Sequence, residues 1–319
     1  VWELIGEIRA AAPARAPLIF VDEEGGPVSR LPAPVLRLPA MRDLGRLRDL
    51  DLMTEVGQTL GRELAAIGID INLAPVIDVD SNPANPVIGR RALHDTPGEV
   101  ARLGVALLQG LASGGVHGCP KHFPGHGDTS EDSHTTLPVL HHDRERLDQV
   151  ELVPFRAVIA AGARMLMSAH VLLPQIDPAH PATLSPVALT QLLRRELGFD
   201  GIVLSDDLDM AAVRDRYTLD EMISLGILGS VDLFLLCNDV ERQVAAMEAA
   251  VYLAEGDGTA RKRMAERAAR VRALSPNGRG DRPGRAPDAR ALAQVFDAPG
   301  ARSLADRIAA RLAAQQGEL

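Results

Sequence analysis

One segment of the sequence concentrates side chains that can transfer protons, bind a metal ion or hold a sugar. Residues 121–134 read KHFPGHGDTSEDSH, with three histidines, one lysine, three acidic residues and two glycines in fourteen positions. The glycines and the proline disfavour a regular helix, so the segment is expected to form a loop. Polar groups on a loop that a rigid scaffold positions are typical of an active site, although a solvated surface loop is an alternative.

A metal site is a second alternative for this segment, because histidine and aspartate are common metal ligands. The spacing of the segment matches neither HExxH nor a paired HxH. The candidate ligands would be His122, His126, Asp128 and His134.

Two further acidic positions lie where short apolar runs end. Asp22 opens the sequence DEEGG, whose two glycines allow a sharp backbone turn beneath a ligand. Asp206 lies in LSDDLDM. A carboxylate at the end of a strand can act as a nucleophile, as a base, or as an acceptor from sugar hydroxyls. One of the neighbouring residues, Asp207 or Asp209, is expected to cap the following helix.

The elements that must position these residues alternate along the chain. Short apolar runs rich in β-branched residues predict strands, and the longer stretches between them have helical periodicity. The predicted strands are 17–22, 69–75, 118–122, 165–170, 202–206 and 231–237, and the main predicted helices are 52–67, 97–113, 144–161 and 186–197. Ser185 before Pro186 is expected to be the N-cap of the last helix. Strands that are apolar on both faces predict a parallel sheet covered by helices.

The polar residues at the strand ends favour a single-domain (β/α)8 barrel over an open sheet. Five of the six predicted strands end on polar residues, namely Asp22, Lys121 with His122, His170, Asp206 and Asn238. In a barrel these ends share one rim, so the side chains would converge on one mouth. The sequence has no GxGxxG after the first strand and no GxxxxGK[ST], which disfavours a nucleotide-binding open sheet. We expect the barrel over residues 1–273, and a linker and a C-terminal helix packing on it over residues 274–319.

Composition excludes several classes of function. The chain of 319 residues has 43 acidic and 34 basic side chains, a formal net charge of −9, and only 3% aromatic residues, which argues against a nucleic-acid partner. Cys119 and Cys237 have no CxxC spacing and are expected to be buried, small apolar side chains. The visible sequence has no apolar run of membrane-spanning length and no leader, which favours a cytoplasmic location and no membrane partner.

Seven stretches, in order from about Pro17 to Cys237, resemble one enzyme family. They are DEEGGPVSRL at 22–31, NLAPVIDV at 72–79, IGRRAL at 88–93, KHFPGHGDTSEDSH at 121–134, MLMSAHV at 165–171, PATLS at 181–185 and ELGFDGIVLSDDLDM at 196–210. They resemble the β-N-acetylglucosaminidases of glycoside hydrolase family 3, and KHFPGHG…DSH and SDDL are the most specific of them. The resemblance implies a barrel enzyme without a metal or organic cofactor, and we expect a monomer. Its substrate would be a small carbohydrate, a muropeptide or chito-oligosaccharide, from which it removes terminal β-linked N-acetylglucosamine.

The resemblance also implies a role for individual residues. Asp206 matches the nucleophile of the family, and His134 matches the acid/base, paired with Asp132. The positions that match the substrate-binding residues are Asp22, Arg30, Arg91, Lys121 and His122, with His170 as a further candidate. A carboxylate beside an imidazole fixes its tautomer and stabilises its charged form, so the pair is chemically suited to acid/base work.

The sequence departs from the family pattern in three places. Glu23 replaces a neutral amide and Pro27 replaces an arginine, for which we expect a modest effect on the loop. Fewer residues precede the DEEGG strand than in the family, so one barrel strand is expected to be missing, which would expose two sheet edges.

Three other functions stay open from the sequence. An imidazole acid/base tolerates an anionic acceptor, so a phosphorylase of the same family is the first alternative. A non-catalytic sugar-binding barrel and a metallohydrolase are the others.

Overall fold

The structure is a computed structural model and describes residues 1–12, 17–133, 135–274, 289–296 and 299–317. Residues 275–288, in the region of 274–319 where the linker is predicted, lie outside these residues. Within the described ranges, no helix is both long enough and apolar enough to cross a membrane.

Short parallel strands alternate with helices along the chain. The strands are β1 Phe20–Val21, β2 Ile71–Asn72, β3 His117–Gly118, β4 Met165–Met167, β5 Ile202–Asp207 and β6 Leu233–Leu235. The helices are α1 Trp2–Ala11, α2 Met41–Arg46, α3 Leu50–Ile67, α4 Pro97–Gly114, α5 Arg144–Gln149, α6 Leu152–Ala160, α7 Ala211–Arg214, α8 Leu219–Gly229, α9 Val240–Gly256, α10 Gly258–Arg272, α11 Ala289–Phe296 and α12 Pro299–Gly317. A π-helix spans Val187–Glu196. All six predicted strands are present, each shorter than predicted except β5.

The strands form two parallel sheets, with orders β1-β2-β3 and β4-β5-β6. Phe20 pairs with Ile71 in the first sheet, and Met165 pairs with Ile202 in the second. Hydrogen bonds join the sheets just beyond β3, because the Phe123 amide donates to the Met167 carbonyl at 2.8 Å and the Met167 amide donates to the Pro120 carbonyl at 3.0 Å. The parallel α/β fold predicted from the sequence is therefore confirmed.

Helices α3 and α4 pack closely against each other on one side of the first sheet. Gly57 of α3 lies so near α4 that an added Cβ would be 2.5 Å from the Leu107 carbonyl oxygen. Leucine, isoleucine and valine fill the adjoining core, which also takes Leu304 and Ile308 of α12. Arg307 and Arg311 of α12 pair with Glu55 and Asp49. Aliphatic side chains thus build the core, as the low aromatic content requires.

The predicted helix at 144–161 is wrong as a single helix, because the chain forms α5 and α6 with a break at Val150 and Glu151. Pro154 explains the break. Its ring has no N–H for the carbonyl of Val150, four residues earlier, and would clash with that carbonyl in a continuous helix.

Ser185 makes the predicted capping hydrogen bond, although Pro186 takes the N-cap position of the π-helix. The Ser185 hydroxyl accepts from the Ala188 amide at 2.9 Å and donates to Asp177 at 2.6 Å. Because Asp177 holds the capping hydroxyl in place, the start of the π-helix is fixed by side chains as well as by the Pro186 ring.

Glu63 of α3 is a buried acid that supports the loop after β1. Its Oε2 accepts from the Leu36 amide at 2.6 Å, while Oε1 has no hydrogen-bond partner among the described residues. Burial raises the pKa of Glu63 to about 7, against the single Leu36 bond that lowers it. The folded state therefore holds this proton more tightly than the unfolded chain does, and stability falls as the pH rises from about 4.5 through 7.

The Glu63→Gln variant is expected to lose less stability than the wild type between pH 5 and pH 8. The amide cannot ionise, so the difference in unfolding free energy between the two proteins should change by roughly 1–2 kcal/mol over this range. Urea unfolding followed by circular dichroism at both pH values measures it. Glu55→Gln, on the exposed side of the same helix, should lose as much stability between the two pH values as the wild type. The prediction is refuted if Glu63→Gln also loses as much stability as the wild type.

Candidate active site

The polar residues that follow the strands meet at one mouth, as the strand-end pattern predicts. The Lys121 ammonium, after β3, lies 2.6 Å from the Asp22 carboxylate, after β1. His170, after β4, lies with its Nε2 3.0 Å from the Asp207 carbonyl oxygen at the end of β5. The amide of Asn238, after β6, lies 3.5 Å from the Asp207 carboxylate. Residues far apart in the sequence thus converge because their strands are parallel.

Glu24 binds two cations of the mouth at once. Its carboxylate accepts hydrogen bonds from Nε and Nη2 of Arg91, both at 2.8 Å, and its Oε1 lies 2.6 Å from the Lys121 ammonium. The Glu24 side chain is only 1% exposed. Burial alone would raise its pKa, but Lys121 and Arg91 outweigh burial and lower the pKa of Glu24 to about 2. The carboxylate is therefore ionised at any working pH, and it fixes where Lys121 and Arg91 can donate hydrogen bonds.

Asp206, near the end of β5, is held as a carboxylate. Burial would raise its pKa, but His122, His170 and Lys121, together with a 2.8 Å hydrogen bond from the Asp207 amide, keep the pKa of Asp206 below its usual value. His122 and Lys121 act on Asp206 although they follow a strand of the other sheet. An ionised carboxylate in a mouth with hydrogen-bond donors is suited to nucleophilic attack.

His122 is held by a buried carboxylate, Asp78. The two side chains lie 2.6 Å apart, from His122 Nδ1 to Asp78 Oδ2, and Asp78 Oδ1 also accepts from the amides of His122 and His126 at 3.2 and 2.7 Å. The pKa of Asp78 is low, because the two histidines outweigh the effect of burial. With Nδ1 directed to Asp78, the Nε2 nitrogen of His122 is left for other contacts in the mouth.

His170 is fully buried, and both ring nitrogens have partners. Nδ1 lies 3.0 Å from the Thr183 hydroxyl, and Nε2 contacts the Asp207 carbonyl as described above. Burial lowers the pKa of His170 despite the nearby Asp206 carboxylate. His170 therefore lies next to Asp206 along β5 and holds the end of this strand through the Asp207 carbonyl.

The polar segment 121–133 is a loop, as predicted, and its side chains are engaged within the protein. The His126 ring contacts the hydroxyls of Thr129 and Ser133 at 2.9 and 3.0 Å. Asp128 accepts from the Ser81 hydroxyl at 2.8 Å and pairs with His142 at 2.9 Å. The loop is thus packed against its neighbours by hydrogen bonds along its length.

Asp132 lines a cleft of about 410 Å³ beside the mouth. The cleft takes its walls from the loop after β1 and from the turn around the Arg91 position; the lining residues are Pro27, Val28, Asn85, Pro86, Val87, Ile88, Gly89, Arg90, Arg91 and Asp132. Because Arg91 also contacts Glu24, the cleft is continuous with the cationic part of the mouth. His134 lies outside the described residues.

The structure brings together five of the six predicted substrate-binding residues, namely Asp22, Arg91, Lys121, His122 and His170. Arg30 differs, because its side chain is exposed while its backbone amide donates to Glu23 at 2.8 Å. Glu23 also accepts from the Leu31 amide at 3.0 Å, so this residue, where the family has a neutral amide, closes the loop after β1.

Two further expectations are corrected. Met210, not an aspartate, takes the N-cap position of α7. Asp207 and Asp209 instead accept from the loop after β6, at the amides of Cys237 and Asn238, each at 3.3 Å. Cys119 is buried as expected, but Cys237 is exposed, because the chain has left β6 two residues earlier and runs along the rim.

Glu24 and Asp78 were missed as site residues from the sequence, and each had a usable signal. Asp78 lies just beyond a stretch after β2 in which hydrogen bonds to the Lys121 segment continue through Val76 and Ile77, past the predicted end at Pro75. The rule that polar residues after strands face the mouth would have found it. Glu24 lies two residues after Asp22, on the same loop.

The alternative of a metal site gains no support from the described side chains. Among them, no group of three or more histidines, cysteines, aspartates or glutamates could hold a metal ion. His122 and His126 are engaged by Asp78 and by hydroxyl groups, and Asp128 is engaged by Ser81 and His142, as described above.

Comparisons with known proteins agree on one family. The family model described as the glycosyl hydrolase family 3 N-terminal domain matches residues 3–274. The beta-hexosaminidase of Chromobacterium violaceum is 42% identical over 254 residues, which are 77% of this chain and 70% of the relative. That of Neisseria meningitidis serogroup C is 41% identical over 245 residues, 74% of this chain and 66% of the relative. The chain thus spans about two thirds of the length of the curated relatives it matches.

Solved structures of the same family have the same fold. A family 3 beta-N-acetylglucosaminidase from Paenibacillus superposes with a TM-score of 0.84 at 36% identity, over 96% of this chain and 60% of that chain. NagZ from Neisseria gonorrhoeae, solved with N-trifluoroacetyl-D-glucosamine, gives a TM-score of 0.74 at 33% identity, over 97% of this chain and 87% of that chain. From the strand order, the residues gathered at the mouth and these matches, we conclude that the chain belongs to glycosyl hydrolase family 3, through the N-terminal domain of that family.

Proposed function

We propose that the protein is a retaining exo-β-N-acetylglucosaminidase that hydrolyses terminal β-linked N-acetylglucosamine from small carbohydrates. The observation that carries the proposal is Asp206, an ionised carboxylate at the end of β5 with Lys121, His122 and His170 around it. The names of the family relatives, beta-hexosaminidase and beta-N-acetylglucosaminidase, support the same reaction. The substrates would be fragments of peptidoglycan or chito-oligosaccharides.

In the first step, an Asp206 oxygen attacks the anomeric carbon of the bound sugar. The bond from that carbon to the leaving oxygen breaks, and the leaving oxygen takes a proton from His134. The product is a covalent glycosyl ester on Asp206. Asp132 stabilises the charged imidazole from which the proton comes.

In the second step, water attacks the anomeric carbon and gives a proton to the neutral imidazole of His134. The ester bond to Asp206 breaks and the carboxylate is regenerated. Two successive inversions at the anomeric carbon leave the released N-acetylglucosamine in its original β configuration. Neither step needs a metal ion or an organic cofactor.

Substrate binding falls to the remaining residues of the mouth. Asp22 can accept from sugar hydroxyls, and the ammonium of Lys121 and the guanidinium of Arg91 can donate to hydroxyl or amide oxygens. His122 and His170 complete this wall. Arg30, which is exposed, could contribute only if its side chain turned toward the ligand. The cleft at Asp132 would bind the leaving group of the substrate.

We also propose that the six strands belong to one (β/α)8-type barrel over residues 1–273, with residues 274–319 outside it. The parallel order from β1 to β6 and the hydrogen bonds that join the two sheets support a single curved sheet. The contacts of Leu304 and Ile308 with the core beside α3 support the packing of the C-terminal helix on its exterior. A monomer in the cytoplasm stays a prediction from the sequence.

Product analysis with and without inorganic phosphate tests the proposed reaction. We expect free N-acetylglucosamine from N,N′-diacetylchitobiose at the same rate in both buffers, because water is the acceptor. Formation of the sugar 1-phosphate would replace the proposal with phosphorolysis. Sugar binding without turnover would favour a non-catalytic barrel, and loss of activity on chelation would favour a metallohydrolase.

A further inference from the structure

A second cavity lies at the opposite end of the strands from the mouth. Its volume is about 440 Å³. Arg164 and Gly201, which line it, directly precede β4 and β5, while the other ends of these two strands lead to His170 and Asp206. The two ends of parallel strands open on opposite sides of the fold. This cavity, which we call the lower cavity, is therefore separated from the mouth by the length of the strands.

The walls of the lower cavity are partly apolar and partly charged. The apolar part includes the side chains of Phe199, Ile202 and Leu274, and the charged lining residues are Arg164, Asp200 and Arg270. The volume falls in the range of small-molecule sites, roughly 300–1,000 Å³. The lower cavity thus has room for a small molecule that carries a charged group.

Arg164 presents an unpaired positive charge to the lower cavity. The residue is exposed, and no hydrogen bond or ion pair joins its side chain to the rest of the described structure. Asp200, the one acid among the described lining residues, is not paired with it. The charge acts on His117, at the start of β3, because burial and then Arg164 lower the pKa of this histidine. The guanidinium donors of Arg164 are therefore available to a ligand.

Arg270 belongs to a group of three arginines that share one acid. The Asp232 side chain is fully buried, and its two oxygens lie 2.5 Å from Nη1 of Arg270 and from Nη2 of Arg194. Nε of Arg267 lies 3.9 Å from the same carboxylate. One negative charge thus faces three positive charges, which leaves a surplus of two positive charges on the arginines.

This surplus affects the arginines themselves. Burial and the neighbouring arginines lower the pKa of Arg267 to about 10, although Asp232 opposes the shift. Burial and the charge of Arg270 also lower the pKa of Arg194, against the same carboxylate. An anion beside Arg270 would offset the repulsion between these like charges.

The sequence that continues from the lower cavity brings no surplus of negative charge. Leu274 is a lining residue, and residues 275–288 after it include three arginines and two aspartates. A matching anion would therefore come from solution.

We propose that the lower cavity binds a phosphate group, either free or as the monoester of a small molecule, through Arg164 and Arg270. A phosphate monoester carries a charge of about −1.5 to −2 at neutral pH, which matches the surplus on the arginines. The planar guanidinium group donates two parallel hydrogen bonds to phosphate oxygens. Phe199 and Ile202 would contact the carbon skeleton of an ester. The inference goes beyond the proposed function, since no residue of the mouth takes part.

Calorimetric titration of the full chain at constant ionic strength tests the site with three ligands. Inorganic phosphate and glucose 6-phosphate should both bind, and glucose, which has no charge, should not. Tighter binding of glucose 6-phosphate would identify a monoester as the ligand, and equal or weaker binding would identify the free anion. The site is overturned if glucose binds as tightly as its phosphate. It is also overturned if neither phosphate compound binds at about 10 mM, a concentration that saturates a site with a Kd of about 1 mM.

Arg164→Ala should weaken the binding of glucose 6-phosphate by about 10- to 100-fold, the loss expected for a hydrogen bond between charged groups. Because Arg164 is exposed and unpaired, the midpoint of thermal unfolding without ligand should stay unchanged. Arg164→Lys keeps the charge but not the planar fork, so its loss of affinity should be smaller. Arg270→Ala should also weaken binding, although the loss of a partner for Asp232 lowers its stability as well.

Arg272→Ala is the matched control, because it removes the same charge two residues from Arg270 in α10. Arg272 is exposed, has no hydrogen bond or ion pair with the described residues and does not line the lower cavity. This variant should bind as the wild type does. The site is overturned if Arg164→Ala also binds as the wild type does, or if Arg272→Ala loses as much affinity as Arg164→Ala. Displacement of glucose 6-phosphate by N-acetylglucosamine would place the ligand in the mouth and would likewise overturn the site.

Discussion

Asp206→Ala is expected to lower turnover of a nitrophenyl N-acetylglucosaminide by about 10⁴-fold or more. Without the carboxylate no glycosyl ester can form, and the mouth keeps only its capacity to bind the sugar. The buried Lys121 ammonium would then lose the attraction of one nearby negative charge, so some loss of stability is expected and thermal unfolding is measured alongside to show that the variant folds. Substrate affinity should persist while turnover is lost, and steady-state kinetics with a binding measurement on the same preparation distinguish the two.

Asp207→Asn is the matched control for this loss, since it removes the neighbouring carboxylate of the same strand. Asp207 supports the loop after β6 through the Cys237 amide, so a moderate loss of stability is expected with activity within about tenfold of the wild type. An Asp206→Ala variant as active as Asp207→Asn would remove Asp206 from the mechanism.

His134→Ala should lower kcat/KM on N,N′-diacetylchitobiose by roughly 10²- to 10⁴-fold, the range that general acid catalysis supplies. Both steps of the reaction need the imidazole, first as the donor and then as the acceptor of the proton. A small anion such as azide needs no base to attack the glycosyl ester, so it should accelerate the second step in this variant. Kinetics on activated glycosides with increasing azide, and identification of a glycosyl azide, measure this.

Asp132→Asn tests the partner of the imidazole and is compared with His134→Ala. Its side chain keeps its size and loses the charge that stabilises the imidazolium, so the loss should have the same direction and be smaller. If His134→Ala keeps wild-type activity on chitobiose and forms no azide product, another group must supply the proton.

The strand-end pattern predicted which residues lie at the site better than it predicted which of them contact each other. Asp22, Lys121 and His170 could be placed at one mouth because parallel strands alternating with helices bring their carboxyl ends together. The partner of each side chain was not predictable in the same way. Glu24 binds Arg91 and Lys121, which lie 67 and 97 residues further along the chain, and only the assembled fold sets that distance.

The places where prediction failed have local causes. Pro154 breaks a helix whose apolar spacing is continuous, because the missing N–H outweighs periodicity. Asp78 was not recognised as a site residue because the strand was predicted to end at Pro75, although hydrogen bonds to the Lys121 segment continue through Val76 and Ile77. Whether a side chain at the rim is exposed, as Cys237 is, depends on where the strand ends. Sequence patterns predict the ends of elements less well than their presence.

Covalent trapping tests the central claim most directly. A 5-fluorinated N-acetylglucosaminyl fluoride forms the glycosyl ester but hydrolyses slowly, because the fluorine destabilises the positively charged transition state of both steps while the fluoride leaves readily. Intact mass spectrometry of the treated protein should show one added fluorinated sugar residue, and peptide mapping should place it on Asp206. An unmodified protein under turnover conditions, or a label on any other residue, would contradict the account.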